Sequence, residues 1–179
     1  CLFEMFNINF KHDFHQSLFS LGADVPFCFF RKTALVTGKG ENILKIQNNY
    51  QNFFVLLVNP LIEVSTKKIF ENLIIPKRED FIIFNEKFLT SNKIIDFLNS
   101  RKNDLEKQAI IQCEEIKNIL DVFKNETSAL LSRMTGSGST CFALFKNEKD
   151  LSNAERIFRN KFKNFWVKKT KIVNSFDTL

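Results

Sequence analysis

Over the first 21 positions apolar residues recur at near-helical spacing, at Leu2, Met5, Phe6, Phe10, Phe14, Leu18 and Leu21, with a break near Asn7-Ile8-Asn9. Two short runs, Phe27–Phe30 and Thr33–Thr37, predict strands, and Gly38-Lys39-Gly40-Glu41 predicts a turn. A polar stretch, Gln47-Asn48-Asn49-Tyr50-Gln51-Asn52, then precedes Phe53–Asn59, an apolar run ending at Pro60 that predicts a buried strand. A domain boundary is placed in that polar stretch. Beyond it, Ser65-Thr66 has the chemistry of a helix start, with Ile69, Phe70 and Leu73 following. Helices are predicted at about 92–100 and 104–124, the second with Ile110, Cys113, Ile116, Leu120 and Phe123 on one face. Ala129–Met134 and Thr140–Phe145 read as strands around a Gly-Ser turn. Leu151, Ala154, Ile157, Phe158 and Phe162 mark an amphipathic helix, and Phe165–Val173 a closing strand. The second part is therefore read as α+β, with helices over one face of an antiparallel sheet and no internal repeat.

Composition narrows this picture only a little. The chain has 179 residues, 44% of them hydrophobic, enough for one large domain or parts of two and against disorder. Its 26 Lys and Arg against 20 Asp and Glu give a net charge of +6, spread along the sequence. That excess permits an anionic partner without demanding one. Phe occurs 22 times against one Tyr and one Trp, which reads as drift toward AT-rich codons and discounts the basic pI. The four cysteines, Cys1, Cys28, Cys113 and Cys141, form no CxxC pair, so reduced thiols in a cytoplasmic protein are expected. The longest apolar run, Phe53 to Val58, is far too short to span a bilayer. The chain starts at Cys1 rather than Met, which suggests that its own beginning is missing.

Two segments could carry chemistry. Leu21-Gly22-Ala23-Asp24-Val25-Pro26 places one short carboxylate on a tight turn, between a Gly able to end a helix and a Pro unable to continue one. Such a group suits an acid or base that must meet one hydroxyl, although Asp is also a common turn residue. Thr135-Gly136-Ser137-Gly138-Ser139-Thr140 has alternating glycines and hydroxyls, which fits a phosphate-binding backbone or a plain hairpin turn. It lacks the Walker spacing, and no dinucleotide fingerprint is present. His12 and His15 are the only histidines, and without a third ligand they predict a solvated helix face rather than a metal site. Lys161–Lys171 interleaves bases with aromatics, read either as an RNA grip or as a basic edge over buried Phe162, Phe165 and Val167. Lys67-Lys68 could attract a diphosphate or simply be solvated, and Ser139 and Cys141 have no nearby His to make a nucleophile.

Leu21–Pro26, Ala34 with Gly38-Lys39-Gly40-Glu41, Pro60 with Val64-Ser65-Thr66 and Phe70, and Met134–Ser139 with Phe142–Phe145 occur in one order. Together they closely resemble the 4-diphosphocytidyl-2-C-methyl-D-erythritol kinase family of the GHMP kinase superfamily. The resemblance runs over nearly the whole chain and is weakest across 75–125. It implies the C-terminal part of an ATP-binding domain over 1–48 and a ferredoxin-like substrate domain over 52–176. It also implies phosphorylation of the 2-hydroxyl of 4-diphosphocytidyl-2-C-methyl-D-erythritol by ATP with Mg²⁺, in the non-mevalonate isoprenoid pathway. Asp24 falls where the family has its catalytic aspartate. Gly136, Ser137, Gly138 and Ser139 match its phosphate-region motif. Phe70 falls where an aromatic ring stacks on cytosine, with Thr66 one helical turn before it; plain core packing is the other reading of Phe70. The cleft between the two parts would hold these residues.

The family's ATP loop, of the type Pro-x-Gly-Gly-Leu-Gly-Gly-Gly-Ser-Ser, and its N-terminal catalytic Lys have no counterpart in this sequence. The expectation is thus a C-terminal portion that does not turn over alone. The alternatives are an inactive truncated or split product and a basic RNA-binding module, with no nucleic-acid or membrane partner expected under the main reading.

Overall fold

A computed structural model describes residues 14–30, 33–45, 53–74 and 91–172. Leu2 to Phe10, Cys1, His12 and the polar stretch 47–52 lie outside the described residues, as does the side chain of His15. Elements are numbered along the described residues, which divide into two units, 14–45 and 53–172.

In the first unit, α1 (Phe14–Leu21) is followed by α2 (Val25–Phe30) and by a hairpin of β1 (Ala34–Thr37) and β2 (Asn42–Lys45). The strands pair antiparallel, Ala34 opposite Lys45 and Thr37 opposite Asn42, around the Gly38–Glu41 turn. Phe27–Phe30 is helical, not a strand as its sequence predicts. A short apolar run carries no period that separates the two states. Here Pro26 sits in the first turn, where its fixed φ favours a helix, and the Cys28 N–H donates to the Asp24 carbonyl at 3.0 Å.

The second unit runs β3 (Phe54–Asn59), α3 (Thr66–Glu71), α4 (Ser91–Asn99), α5 (Glu106–Gln112), α6 (Glu115–Glu126), β4 (Leu131–Met134), β5 (Cys141–Phe145), α7 (Glu148–Lys161) and β6 (Trp166–Lys171). Its sheet has the order β4-β5-β3-β6 with every neighbour antiparallel. Counting β3 as the first of the four strands, the order is 4-1-3-2, the split βαβ arrangement of ferredoxin-like folds.

Both central strands are buried on both faces. Leu56, Val58, Cys141, Ala143 and Phe145 meet Ile116, Ile119 and Phe123 of α6 and Leu151, Ala154 and Phe158 of α7. Phe53, Val55, Leu131 and Leu144 meet Ile94 and Ile95 of α4 on the opposite face. Helices therefore cover both faces, a correction to the one-face expectation. Continuous apolar runs such as Phe53–Val58 offer no polar alternate positions to water, so each face needs a cover.

The segment predicted as one helix over 104–124 is two. The chain breaks at Cys113, whose φ of −148° and ψ of 96° are extended. The break lets Ala109 of α5 and Ile116 of α6 both be fully buried. Helix α7 follows its sequence signals closely: the Asn147 side chain accepts from the Asp150 N–H at 2.9 Å, acids fill the first turn and bases the last.

Candidate functional site

The Gly-Ser loop connects β4 to β5, and hydrogen bonds secure it at both ends. Across its mouth the Thr135 N–H donates to the Thr140 carbonyl at 2.9 Å, and the Gly138 N–H to the Thr135 carbonyl at 3.0 Å. Gly138 has φ +96°, and a Cβ there would lie 3.0 Å from Met134 Sδ and 3.3 Å from Ile116 Cδ1. A side chain is thus disfavoured by conformation and crowded by both neighbours. The hydroxyl of Ser139 is buried, donating to the Ile62 carbonyl at 2.7 Å and, more weakly, to Asn59 Oδ1 at 3.5 Å. Asn59 also donates to Thr140 Oγ1 at 2.8 Å and accepts from the Leu61 N–H at 2.6 Å.

Ser137 faces outward to another element. Its hydroxyl meets that of Thr66 at 2.7 Å. Thr66 is the first residue of α3, whose Ser65 cap accepts from the Lys68 N–H at 3.3 Å. Phe70 lies one turn further along and is 57% exposed, whereas its neighbour Ile69 is fully buried. Core packing is therefore excluded as the reason for Phe70. A large exposed ring one turn from a hydroxyl pair can stack a planar group while the hydroxyls bond to it.

Asp24 belongs to the first unit. The Gly22 N–H donates to the Phe19 carbonyl and the Val25 N–H to the Gly22 carbonyl, each at 3.1 Å, so the turn is closed on both sides of an exposed Asp24. Pro26 is buried beneath it. The hairpin turn backs this segment: at Gly40, with φ +110°, a Cβ would lie 2.4 Å from the Ala23 carbonyl oxygen. Only glycine permits that approach.

The two buried thiols have an evident structural setting. Burial pushes the Cys141 thiol up to about 12, aided by Glu106 and Cys113. Burial also raises Cys113. Both thiols stay protonated, and Cys141 points back at the Ser139 carbonyl at 3.8 Å. Among the described residues no group of three or more His, Cys, Asp or Glu converges, and no helix is long and apolar enough to cross a membrane. Lys67 pairs with Glu71. In the basic segment, Lys161 pairs with Glu126, Lys169 bonds Glu155 at 3.0 Å, and Lys171 sits 4.8 Å from the centre of the Phe54 ring. Phe162 and Phe165 stack on each other against the core. Both rings are half-buried, and Trp166 beside them is exposed.

Residues 84–164 match the family described as GHMP kinases C terminal. The second unit has the GHMP kinase C-terminal fold. The 4-diphosphocytidyl-2-C-methyl-D-erythritol kinase of Anaplasma phagocytophilum (strain HZ) is 30% identical over 98% of this chain and 58% of its own length. The same-named kinase of Sinorhizobium medicae (strain WSM419) is 35% identical over 84% of this chain and 49% of its own. The chain spans about half the length of the curated relatives it matches. A solved 4-(cytidine 5'-diphospho)-2C-methyl-D-erythritol kinase shares the fold with a TM-score of 0.64 at 20% identity, over 89% of this chain and 57% of that one. L. major mevalonate kinase, solved with R-mevalonate, follows at 0.56 and 17%, over 75% and 46%.

In this unit Thr66, Phe70 and the loop stand out in the sequence as candidates, whereas the amide side chains bonded to their segments do not. Asn59, Asn103 and Gln112 are polar residues at element ends. The one available signal was at Asn103, which stands three residues ahead of Glu106 in the spacing of a helix start.

Proposed function

We propose that this chain is part of an ATP-dependent kinase that phosphorylates the 2-hydroxyl of 4-diphosphocytidyl-2-C-methyl-D-erythritol, in the non-mevalonate isoprenoid pathway and in the cytoplasm. Residues 1–48 would be the tail of the ATP-binding domain and 52–176 the substrate domain. The observation that carries the reading is the Thr66–Ser137 contact, which joins the Gly-Ser loop to the helix that bears the exposed ring of Phe70. The relatives named for this kinase point the same way.

Phosphoryl transfer asks a protein for positioning and charge stabilisation more than for covalent chemistry. In this reading Asp24 accepts the proton of the 2-hydroxyl as its oxygen bonds to the γ-phosphorus of ATP and ADP departs. Gly136, Ser137, Gly138 and Ser139 shape the phosphate region. Phe70 stacks on cytosine, and Thr66 bonds near it. Mg²⁺ would come with ATP, held mainly by phosphate oxygens and water. Among the described residues no group of three or more His, Cys, Asp or Glu converges to hold it.

The test is the full-length protein, assayed with ATP and the cytidyl substrate by phosphorus NMR. Asp24→Asn should lower turnover by about 10²- to 10⁴-fold and leave the unfolding midpoint in place, because Asp24 is exposed. Retained turnover in that variant removes Asp24 from the reaction. A wild-type protein that binds cytidine diphosphate without turning over favours the inactive alternative.

A further inference from the structure

Helix α5 carries an amide side chain at each end, and the two reach different parts of the candidate site. Just ahead of its start, Asn103 Nδ2 donates to the carbonyls of Gly136 at 2.8 Å and Met134 at 3.1 Å. Its Oδ1 accepts from the Leu105 N–H at 3.0 Å, so every polar atom of the amide is used. At the other end, Gln112 Oε1 accepts from the Ser65 N–H at 3.0 Å, and its Nε2 reaches the Ser65 carbonyl at 3.4 Å. Ser65 caps α3, and Gly136 immediately precedes Ser137.

The loop and α3 are therefore joined twice: directly, through Thr66 and Ser137, and indirectly, through the length of α5. The helix also packs beneath the loop, since Ala109 is fully buried and lies 3.7 Å from where a Gly138 Cβ would stand. Seven residues of α-helix make a rigid body roughly 10 Å long, and a rigid body bonded at both ends sets the spacing of what it holds.

We propose that α5 is a strut fixing the Gly-Ser loop relative to the Thr66–Phe70 helix, with Asn103 and Gln112 as positioning residues. Its catalytic meaning rests on the kinase reading above. Asn103 acts on the phosphate side, through Gly136. Gln112 acts on the nucleobase side, through Ser65.

The test uses the full-length protein with Asn103→Asp, which keeps the acceptor but loses both donor bonds, and Gln112→Met, which loses the whole amide. Asn103→Asp should lower kcat by about 10- to 100-fold with KM for the cytidyl substrate held within about twofold. Gln112→Met should raise that KM about fivefold and leave kcat within about twofold. Amide NMR supplies a readout that does not need turnover: each variant should shift resonances at the opposite end of α5 itself, Asn103→Asp at Gln112 and Gln112→Met at Asn103. Absence of any far-end shift overturns the strut. Far-end shifts with both kinetic constants unchanged overturn its positioning role. Far-end shifts in a wild-type background that shows no turnover leave the strut standing and sink the kinase reading instead. Gln112 is exposed, so Gln112→Met carries the test by itself if Asn103→Asp does not fold.

Discussion

The hydroxyls of Thr66 and Ser137, 71 positions apart in the chain, meet at 2.7 Å and join a helix start to a glycine-rich turn. Because they touch, they should act on a ligand as one unit. Thr66→Val and Ser137→Ala should each lower kcat/KM for the cytidyl substrate in the full-length protein. The double variant should lose no more than the worse single one. Losses that multiply would show two independent hydroxyls.

Phe70 and Ile69 are adjacent yet should fail in opposite ways. Phe70 is 57% exposed, so Phe70→Ala should move the urea midpoint by the equivalent of less than about 1 kcal/mol. Its affinity for cytidine diphosphate should fall about 5- to 150-fold, the range expected for losing one base–aromatic stack. Ile69 is fully buried, and Ile69→Ala should destabilise by about 2–5 kcal/mol. Calorimetric titration beside chemical unfolding separates the two effects; unchanged binding in Phe70→Ala would end the stacking assignment.

The two loop glycines differ in what surrounds them. A Cβ at Gly136 meets nothing within 4 Å, whereas one at Gly138 meets Met134 at 3.0 Å and Ile116 at 3.3 Å. Both have positive φ, so each alanine pays strain, but only Gly138→Ala must also displace buried neighbours. Gly136→Ala should cost about 1 kcal/mol and Gly138→Ala about 2–3 kcal/mol in urea unfolding. Equal costs would mean that Met134 and Ile116 yield freely.

The ion cluster behind the sheet should show itself in acid. Burial opposes ionisation of Glu155, but hydrogen bonds from Lys169 and Arg159 outweigh it and hold its carboxyl below the ordinary value of 4.5. A depressed carboxyl stabilises the fold fully above its unfolded pKa and loses that contribution as pH falls through its folded pKa. The loss should therefore fall below about pH 4.5, and Glu155→Gln should remove it, at a cost of about 1 kcal/mol at pH 7. Urea unfolding between pH 7 and pH 3 decides this; parallel curves for the two proteins would leave the cluster no role.

Periodicity and punctuation determined much of this chain by themselves. The stripe Leu151, Ala154 and Phe158, with acids before it and bases after, is α7, because a helix's repeat and its dipole impose those positions locally. The runs Phe53–Asn59 and Thr140–Phe145 are central strands for an equally local reason, and the glycines and hydroxyls of 135–140 marked the loop. Only the tertiary structure decided the rest. Phe27–Phe30 is helical, and 104–124 breaks at Cys113, because packing rather than period chooses among states that a short apolar run allows. The second face of the sheet is covered by Ile94 and Ile95, which no local pattern assigned to it. The candidate residues were half legible. Asp24, Thr66, Phe70 and the loop carry recognisable residue types, whereas Asn103 and Gln112 find their partners 31 to 47 positions away. A side-chain amide has the same chemistry wherever it lies, and only the closure of the intervening chain decides which carbonyl it meets.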